Sequence, residues 1–269
     1  MSEPAPAIEA AHLSKRYGDA LAVDDLSFRI GRGEVVGFLG PNGAGKTTTM
    51  RMLTGYLPPS DGSARIVGYD VFEQPLPARR AIGYLPESPP LYPEMSVEAY
   101  VAHVAKLKDV PRGARRAAVD HAIRRCGLVE VRRRVIADLS KGFRQRVGLA
   151  QAIVHDPPVL ILDEPTVGLD PIQIREIRAL IAELAAGHGD AGHTVLLSTH
   201  ILNEVEAICQ RVILMSEGRK VVDEALSELV SGGRSLEEVF ARATSRDDAA
   251  SIAPAPAGAS EGPGAEGRA

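Results

Sequence analysis

Residues 8–38 carry short β-type runs of apolar positions broken by turn residues. Ile8–Leu13, Ala20–Ile30 and Val35–Leu39 read as strands, with Gly18-Asp19 and Gly31-Arg32-Gly33 between them. A helix-like stretch follows from Thr48 to Thr54, then a turn by composition at Pro58–Gly62 and two short strands at Ala64–Val67 and Ala81–Leu85. The pattern changes after Ser96, a plausible N-cap. Ser96–Lys108 and Arg112–Cys126 read as helices parted by Pro111 and Gly113. This helical insertion interrupts a β/α alternation that resumes at 142. Phe143–Val154 reads as a helix, Val159–Leu162 as a buried parallel-type strand, Pro171–Ala185 as a helix with proline in its first turn, and Thr194–Ser198 as another buried strand. Val212–Met215 and Arg219–Val222 form an expected hairpin around Gly218. Residues 246–269, rich in Ala, Pro, Gly and Ser, are expected to be disordered.

One string sits where this pattern gives it meaning. Gly40-Pro41-Asn42-Gly43-Ala44-Gly45-Lys46-Thr47 fits G-x-x-x-x-G-K-[ST] between the Val35–Leu39 strand and the helix that Thr48 opens. The glycines let successive backbone N–H groups face a phosphate chain, and the helix N-terminus adds partial positive charge. Lys46 reaches toward the β- and γ-phosphates, and the Thr47 hydroxyl suits Mg²⁺. A second element is Val159–Leu162 running into Asp163-Glu164-Pro165. A strand ending beside the phosphate loop puts Asp163 near the metal. Glu164 points toward the γ-phosphate, where it orients or deprotonates a water.

Composition narrows the class. The chain has 269 residues, 45% of them hydrophobic, and a net charge of -4. That length supports a large core in one domain with a lobe, and the acidic balance argues against general nucleic-acid binding. Cys126 and Cys209 lack the spacing of a disulfide framework or zinc site, which fits a reducing compartment. Met1–Ala11 shows no signal-peptide pattern, and no stretch approaches the roughly 20 apolar residues of a membrane span. A membrane role would need another chain to supply the span.

Five further segments fall in the order found in ATP-binding cassette (ABC) ATPases: Tyr17, Glu87 in Gly83–Glu87, Leu139–Phe143, Gly168–Pro171, and Ser198-Thr199-His200. The chain resembles that family over residues 7–243. The resemblance implies an α/β fold: a P-loop NTPase core of mixed, mostly parallel sheet and helices, an N-terminal antiparallel β subdomain, and an inserted helical lobe near 88–145, with 244–269 as a disordered tail. It implies ATP and Mg²⁺ as ligands. Tyr17 would stack on adenine. Residues 40–48, Thr48 included, would hold the phosphates. Thr47, Glu87 and Asp163 would serve the metal; Glu164, His200 and Lys46 would carry catalysis. Ser140 and Gly142 would close over the nucleotide of a partner chain, giving an ATP-bound homodimer, and Asp170 would couple the two sites. As a bare residue Asp170 fits a helix cap equally well.

Two departures stand out. Glu87 replaces the family's usual glutamine, losing an amide donor while keeping an acceptor. Lys141 and Phe143 replace a glycine and the glutamine of Leu-Ser-Gly-Gly-Gln; Lys141 either adds charge near the partner's γ-phosphate or faces solvent. The segments around Glu87, Ser140–Ala152 and Ser235–Phe240 resemble the ATPase subunits of ABC-2 type exporters. That implies an ABC-2 type membrane permease as partner, no nucleic acid, and a peripheral place on the cytoplasmic face of the membrane. Leu91, Tyr92 and Met95 suit a groove for the permease. The other classes considered are a soluble ABC ATPase of DNA repair or translation, which usually has two cassettes or a long coiled coil, and a regulator without turnover, against which Lys46, Asp163, Glu164 and His200 speak together.

Overall fold

The computed structural model describes residues 5–187, 192–231 and 235–244. Beyond Thr244 the expected disordered tail lies outside the described residues. Two sheets organise the chain. The first is antiparallel, with β1 (Ile8–Tyr17), β2 (Ala20–Ile30), β4 (Asp61–Ile66) and β5 (Tyr69–Asp70) in the order β2-β1-β4-β5. The second contains β3 (Val35–Leu39), β6 (Ile82–Leu85), β7 (Val159–Asp163), β8 (Thr194–Thr199), β9 (Arg211–Ser216) and β10 (Arg219–Ala225), in the order β10-β9-β3-β8-β7-β6. It is parallel throughout except for the β9–β10 hairpin. This is the mixed, mostly parallel α/β arrangement that the resemblance implies.

Every residue of β3, β7 and β8 is buried. Such strands need an apolar side chain on both faces, which is why they read as continuous hydrophobic runs. Period-two alternation then sends neighbours to opposite cores. Leu160, Leu162, Val195, Leu197, Val212 and Leu214 point into the core shared with the helices α3 (Val97–Leu107), α4 (Arg115–Arg125), α5 (Lys141–Ile153) and α6 (Pro171–Ala186). Ile161, Leu196, Ile213, Phe38 and Met215 point into the core shared with α1 (Lys46–Leu53) and the antiparallel sheet. Each such side chain contributes about 1.5–3 kcal/mol by burial.

Several boundaries differ from expectation. Pro111 to Ala114 form a turn, with the N–H groups of Ala114 and Arg115 donating to the Pro111 carbonyl at 2.8 and 3.1 Å, so α4 starts at Arg115 rather than Arg112. Strand β4 begins at Asp61, inside the stretch that composition marks as a turn. The short helices α2 (Pro75–Arg80), α7 (Leu202–Ile208) and α8 (Leu226–Leu229) and the later α9 (Leu236–Thr244) were not expected as elements. Ser96 does cap α3, accepting from the Ala99 N–H at 3.3 Å. Leu91 and Met95 pack against the core, leaving Tyr92 half-exposed over Tyr100. No helix among the described residues is long and apolar enough to cross a membrane.

Candidate active site

The loop after β3 is squeezed between the two sheets. A Cβ on Gly40 would lie 2.5 Å from the Met215 carbonyl of β9, and one on Gly45 would lie 2.5 Å from the Ala22 carbonyl of β2. Gly43 and Gly45 also hold φ of 85° and 99°, the left-handed region that side chains avoid. Helix α1 therefore starts abruptly at Lys46, with first-turn N–H groups free to face an anion. Lys46 is buried, and its Nζ donates to the carbonyls of Gly40 at 2.7 Å and Pro41 at 3.2 Å. The same ammonium stands 3.6 Å from Glu164 Oε1.

Glu164 follows the last residue of β7. Its φ of 48° is left-handed, and its N–H donates to the Ser198 carbonyl of β8 at 2.8 Å. A non-glycine residue in that region costs of order 1–3 kcal/mol and persists only where its surroundings impose it. The turn swings the carboxylate between two cationic or donor groups. Lys46 lies on one side, and His200 Nδ1 lies 2.9 Å from both carboxylate oxygens on the other. Asp163, one residue earlier, is 1% exposed, and both its carboxylate oxygens lack a hydrogen-bond partner. Burial pushes its carboxyl above the usual range; nearby Ser198 and Thr47 hydroxyls oppose this, and the charges of Glu164 and Glu87 add to it. A buried carboxylate without a partner is a costly arrangement unless a cation completes it. Among the described residues no three His, Cys, Asp or Glu side chains gather as a metal cluster. Asp163 and the Thr47 hydroxyl nevertheless offer oxygen donors of the kind that would suit Mg²⁺.

Lys46, Thr47, Glu164 and His200 border one cleft of about 330 Å³, lined also by Asn42, Gly43, Gly45 and Thr48 from the loop and by Glu87, while buried Asp163 is not part of its lining. Gly40, Pro41 and Ala44 shape the loop behind it. The structure does not bring the remaining candidates there. Tyr17 sits half-exposed at the end of β1 with the Lys15 ammonium 5.5 Å from its ring centroid, and Ala22 of the adjoining strand lines the cleft in its place. Ser140 and Gly142 border a separate cavity of about 400 Å³ with Gln173 and Glu176. Ser140 caps α5 by accepting from the Phe143 N–H at 3.4 Å. Asp170 caps α6, accepting from the N–H groups of Ile172 and Gln173 at 2.9 Å each. Lys141 is exposed, with its ammonium beside Gly168 in the loop that leads to Asp170. Sequence reasoning passed over Glu204, a buried carboxylate on α7 bonded to Thr166 and Thr199. Its signal was its place four residues after His200, on a helix too short to show periodicity.

Comparison with known proteins identifies the family. The ABC transporter family model matches residues 23–167. The chain is 36% identical over 231 residues to the bacitracin transport ATP-binding protein BcrA of Enterococcus faecalis, covering 86% of this chain and 73% of that protein. It is 38% identical over 239 residues to the Nod factor export ATP-binding protein I of Paraburkholderia xenovorans, covering 88% and 77%. Among solved structures, an ATP-binding subunit of an ABC transporter superposes with a TM-score of 0.78 at 31% identity, covering 87% of this chain and 98% of the other. CbiO1 of Clostridium perfringens, part of the ABC transporter complex cbiONQ, gives 0.75 at 31% identity, covering 89% and 94%.

Proposed function

We propose, from the premise that the chain belongs to the ABC transporter family as an ATP-binding subunit that hydrolyses ATP, that it powers export through a separate ABC-2 type membrane permease. In this reading residues 7–243 are the ATPase domain and about 88–145 its helical lobe. The observation that carries the proposal is Glu164 held between Lys46 and His200 at the mouth of the phosphate loop. Lys46 exchanges its loop carbonyls for phosphate oxygens when ATP binds, a charge-assisted contact. Glu164 takes a proton from water as that water's oxygen attacks the γ-phosphorus and the bond to the β-phosphate oxygen breaks. His200 holds the Glu164 carboxylate and donates toward the γ-phosphate. Thr47, Glu87 and Asp163 would hold Mg²⁺, which when bound would neutralise charge on the phosphates.

Export, rather than import, is supported by the likeness to the bacitracin and Nod factor proteins. The permease would seat in the cavity of about 480 Å³ beside Glu87, where Tyr56 is 72% exposed next to Tyr84, Pro86 and Pro90. Such an aromatic groove suits a short helix from a membrane protein; in this reading the chain works on the cytoplasmic face of the membrane. Two chains would close head to tail over two ATP molecules, Ser140 and Gly142 of each meeting the nucleotide of the other, with Asp170 between the sites and Tyr17 against adenine. The test is phosphate release by the purified chain, then by the chain co-expressed with a polytopic membrane protein encoded beside it. Mg-ATP hydrolysis stimulated by that protein, and lost on Tyr56→Asp, is the expected result. Absence of any hydrolysis would overturn the proposal.

A further inference from the structure

Glu204 is a buried acid that the mechanism above does not use. It is 1% exposed, on the seven-residue helix α7. One carboxylate oxygen accepts from the Thr166 hydroxyl, the other from the Thr199 hydroxyl at 2.8 Å. Arg178 of α6 places a guanidinium nitrogen 3.8 Å from the first oxygen and supplies the counter-charge. The two hydroxyls belong to the two segments that matter: Thr166 lies two residues past Glu164, and Thr199 immediately precedes His200. Thr199 does double duty, since its Oγ1 also accepts from the Ile201 N–H at 3.1 Å and so braces the backbone on both sides of the histidine.

We infer that Glu204 is a positioning residue for the Glu164–His200 pair, clamping the segment after β7 to the end of β8 next to His200. The inference rests on the proposed ATPase reading of that pair. Directly across the strand ends, the link between these segments is the Glu164 N–H donating to the Ser198 carbonyl at 2.8 Å, which fixes height but not side-chain direction. The left-handed backbone at Glu164 needs outside support to persist. A shared carboxylate receiving one hydroxyl from each side sets the two segments relative to each other. Burying a carboxylate merely to fill space gains little over an apolar side chain of similar volume. Its useful product here is geometry, a support shell behind groups that act on the phosphate.

The decisive readout needs no turnover. Ring-¹⁵N histidine NMR of the nucleotide-free chain, with His200 signals assigned by their loss in His200→Gln, reports the Nδ1 hydrogen bond to Glu164. Thr199→Val and Glu204→Gln are expected to move those signals in the direction that Glu164→Gln moves them, and Thr199→Ser is expected to leave them in place. In steady-state hydrolysis, Thr199→Val should lower kcat about tenfold to a hundredfold with KM for Mg-ATP within about twofold, and Thr199→Ser should restore it. His200 signals unmoved in both Thr199→Val and Glu204→Gln would overturn the clamp. So would parallel losses of kcat, ATP affinity and melting temperature that Thr199→Ser fails to repair. A parent protein that hydrolyses no ATP defeats the ATPase reading alone, because the NMR result still decides the clamp.

Discussion

His200 Nδ1 lies at the same distance, 2.9 Å, from the two carboxylate oxygens of Glu164. Nδ1 therefore sits midway between the two oxygens, while the residue itself borders the cleft. Glu164→Gln should keep ATP binding within a few-fold yet lose at least about two orders of magnitude in hydrolysis, the usual worth of a positioned base. Nucleotide titration and phosphate release on the same preparation check both halves. Turnover near the parental rate would remove Glu164 from the role of base.

Lys46 is already spending its hydrogen bonds on Gly40 and Pro41. Lys46→Ala should weaken ATP binding about tenfold to a hundredfold, as expected for loss of a charge-assisted contact of roughly 1.5–3 kcal/mol. Calorimetric titration with Mg-ATP is the measurement; an unchanged Kd would place the lysine outside the phosphate contacts.

Asp163 gives a pH-dependent prediction. Its folded-state pKa is raised, chiefly by burial, so its ionised form destabilises the nucleotide-free fold. That cost is fully present above the raised folded pKa. It shrinks as pH falls through that value and is gone below the unfolded value of about 3.9. Asp163→Asn should thus raise the melting temperature of the nucleotide-free chain at pH 8, with a gain that shrinks as the pH falls toward the unfolded carboxyl value of about 3.9. With saturating Mg-ATP the order should reverse, since the parent alone gains the cation. A gain in melting temperature that does not shrink on acidification contradicts the assignment.

Glu87 faces the cleft and adds to the upward push on Asp163. Glu87→Gln should leave hydrolysis within a few-fold. Glu87→Ala, which removes the acceptor, should hydrolyse ATP but lose stimulation by the permease. Full stimulation of the alanine variant in proteoliposomes refutes a coupling role.

Within one chain the loop at 40–48 and the Ser140-Gly142 segment border different cavities. Glu164→Gln should therefore sediment as a dimer with Mg-ATP and as a monomer without it. Ser140→Arg should abolish the shift while leaving ATP binding by the monomer intact. A sedimentation coefficient indifferent to nucleotide sinks the sandwich.

What could be read from residue order was whatever local physics dictates. The loop was legible because close backbone approach at Gly40 and Gly45 and positive φ at Gly43 and Gly45 leave no alternative to glycine. The acidic pair was legible because four apolar residues run straight into it. Leu202–Ile208 was not: it has seven residues and no side-chain cap, so neither periodicity nor a start signal marks it. With the helix went Glu204, whose partners Thr166 and Thr199 lie 38 and 5 residues away. Helix α9 carried a readable signal, since Ser235 and Glu238 cap each other reciprocally at 3.2 Å, yet it entered only as part of a resemblance. Tyr17 and Ala22 show the remaining gap: which strand residue meets a cleft depends on how two sheets pack, and that is written in no short stretch of chain.

Four parallel strands finish nearly level, with Leu39 beside Thr199, Ser198 beside Asp163, and Leu162 beside Leu85. Because alternate residues feed opposite cores, losing one codon inside β7 would exchange the destinations of Leu160 and Ile161 and withdraw both acids by a rung. Most substitutions at those positions are milder lesions than that single deletion. Over these strands the gene has two frames to keep, its own and that of the sheet, and new length can be written only between them.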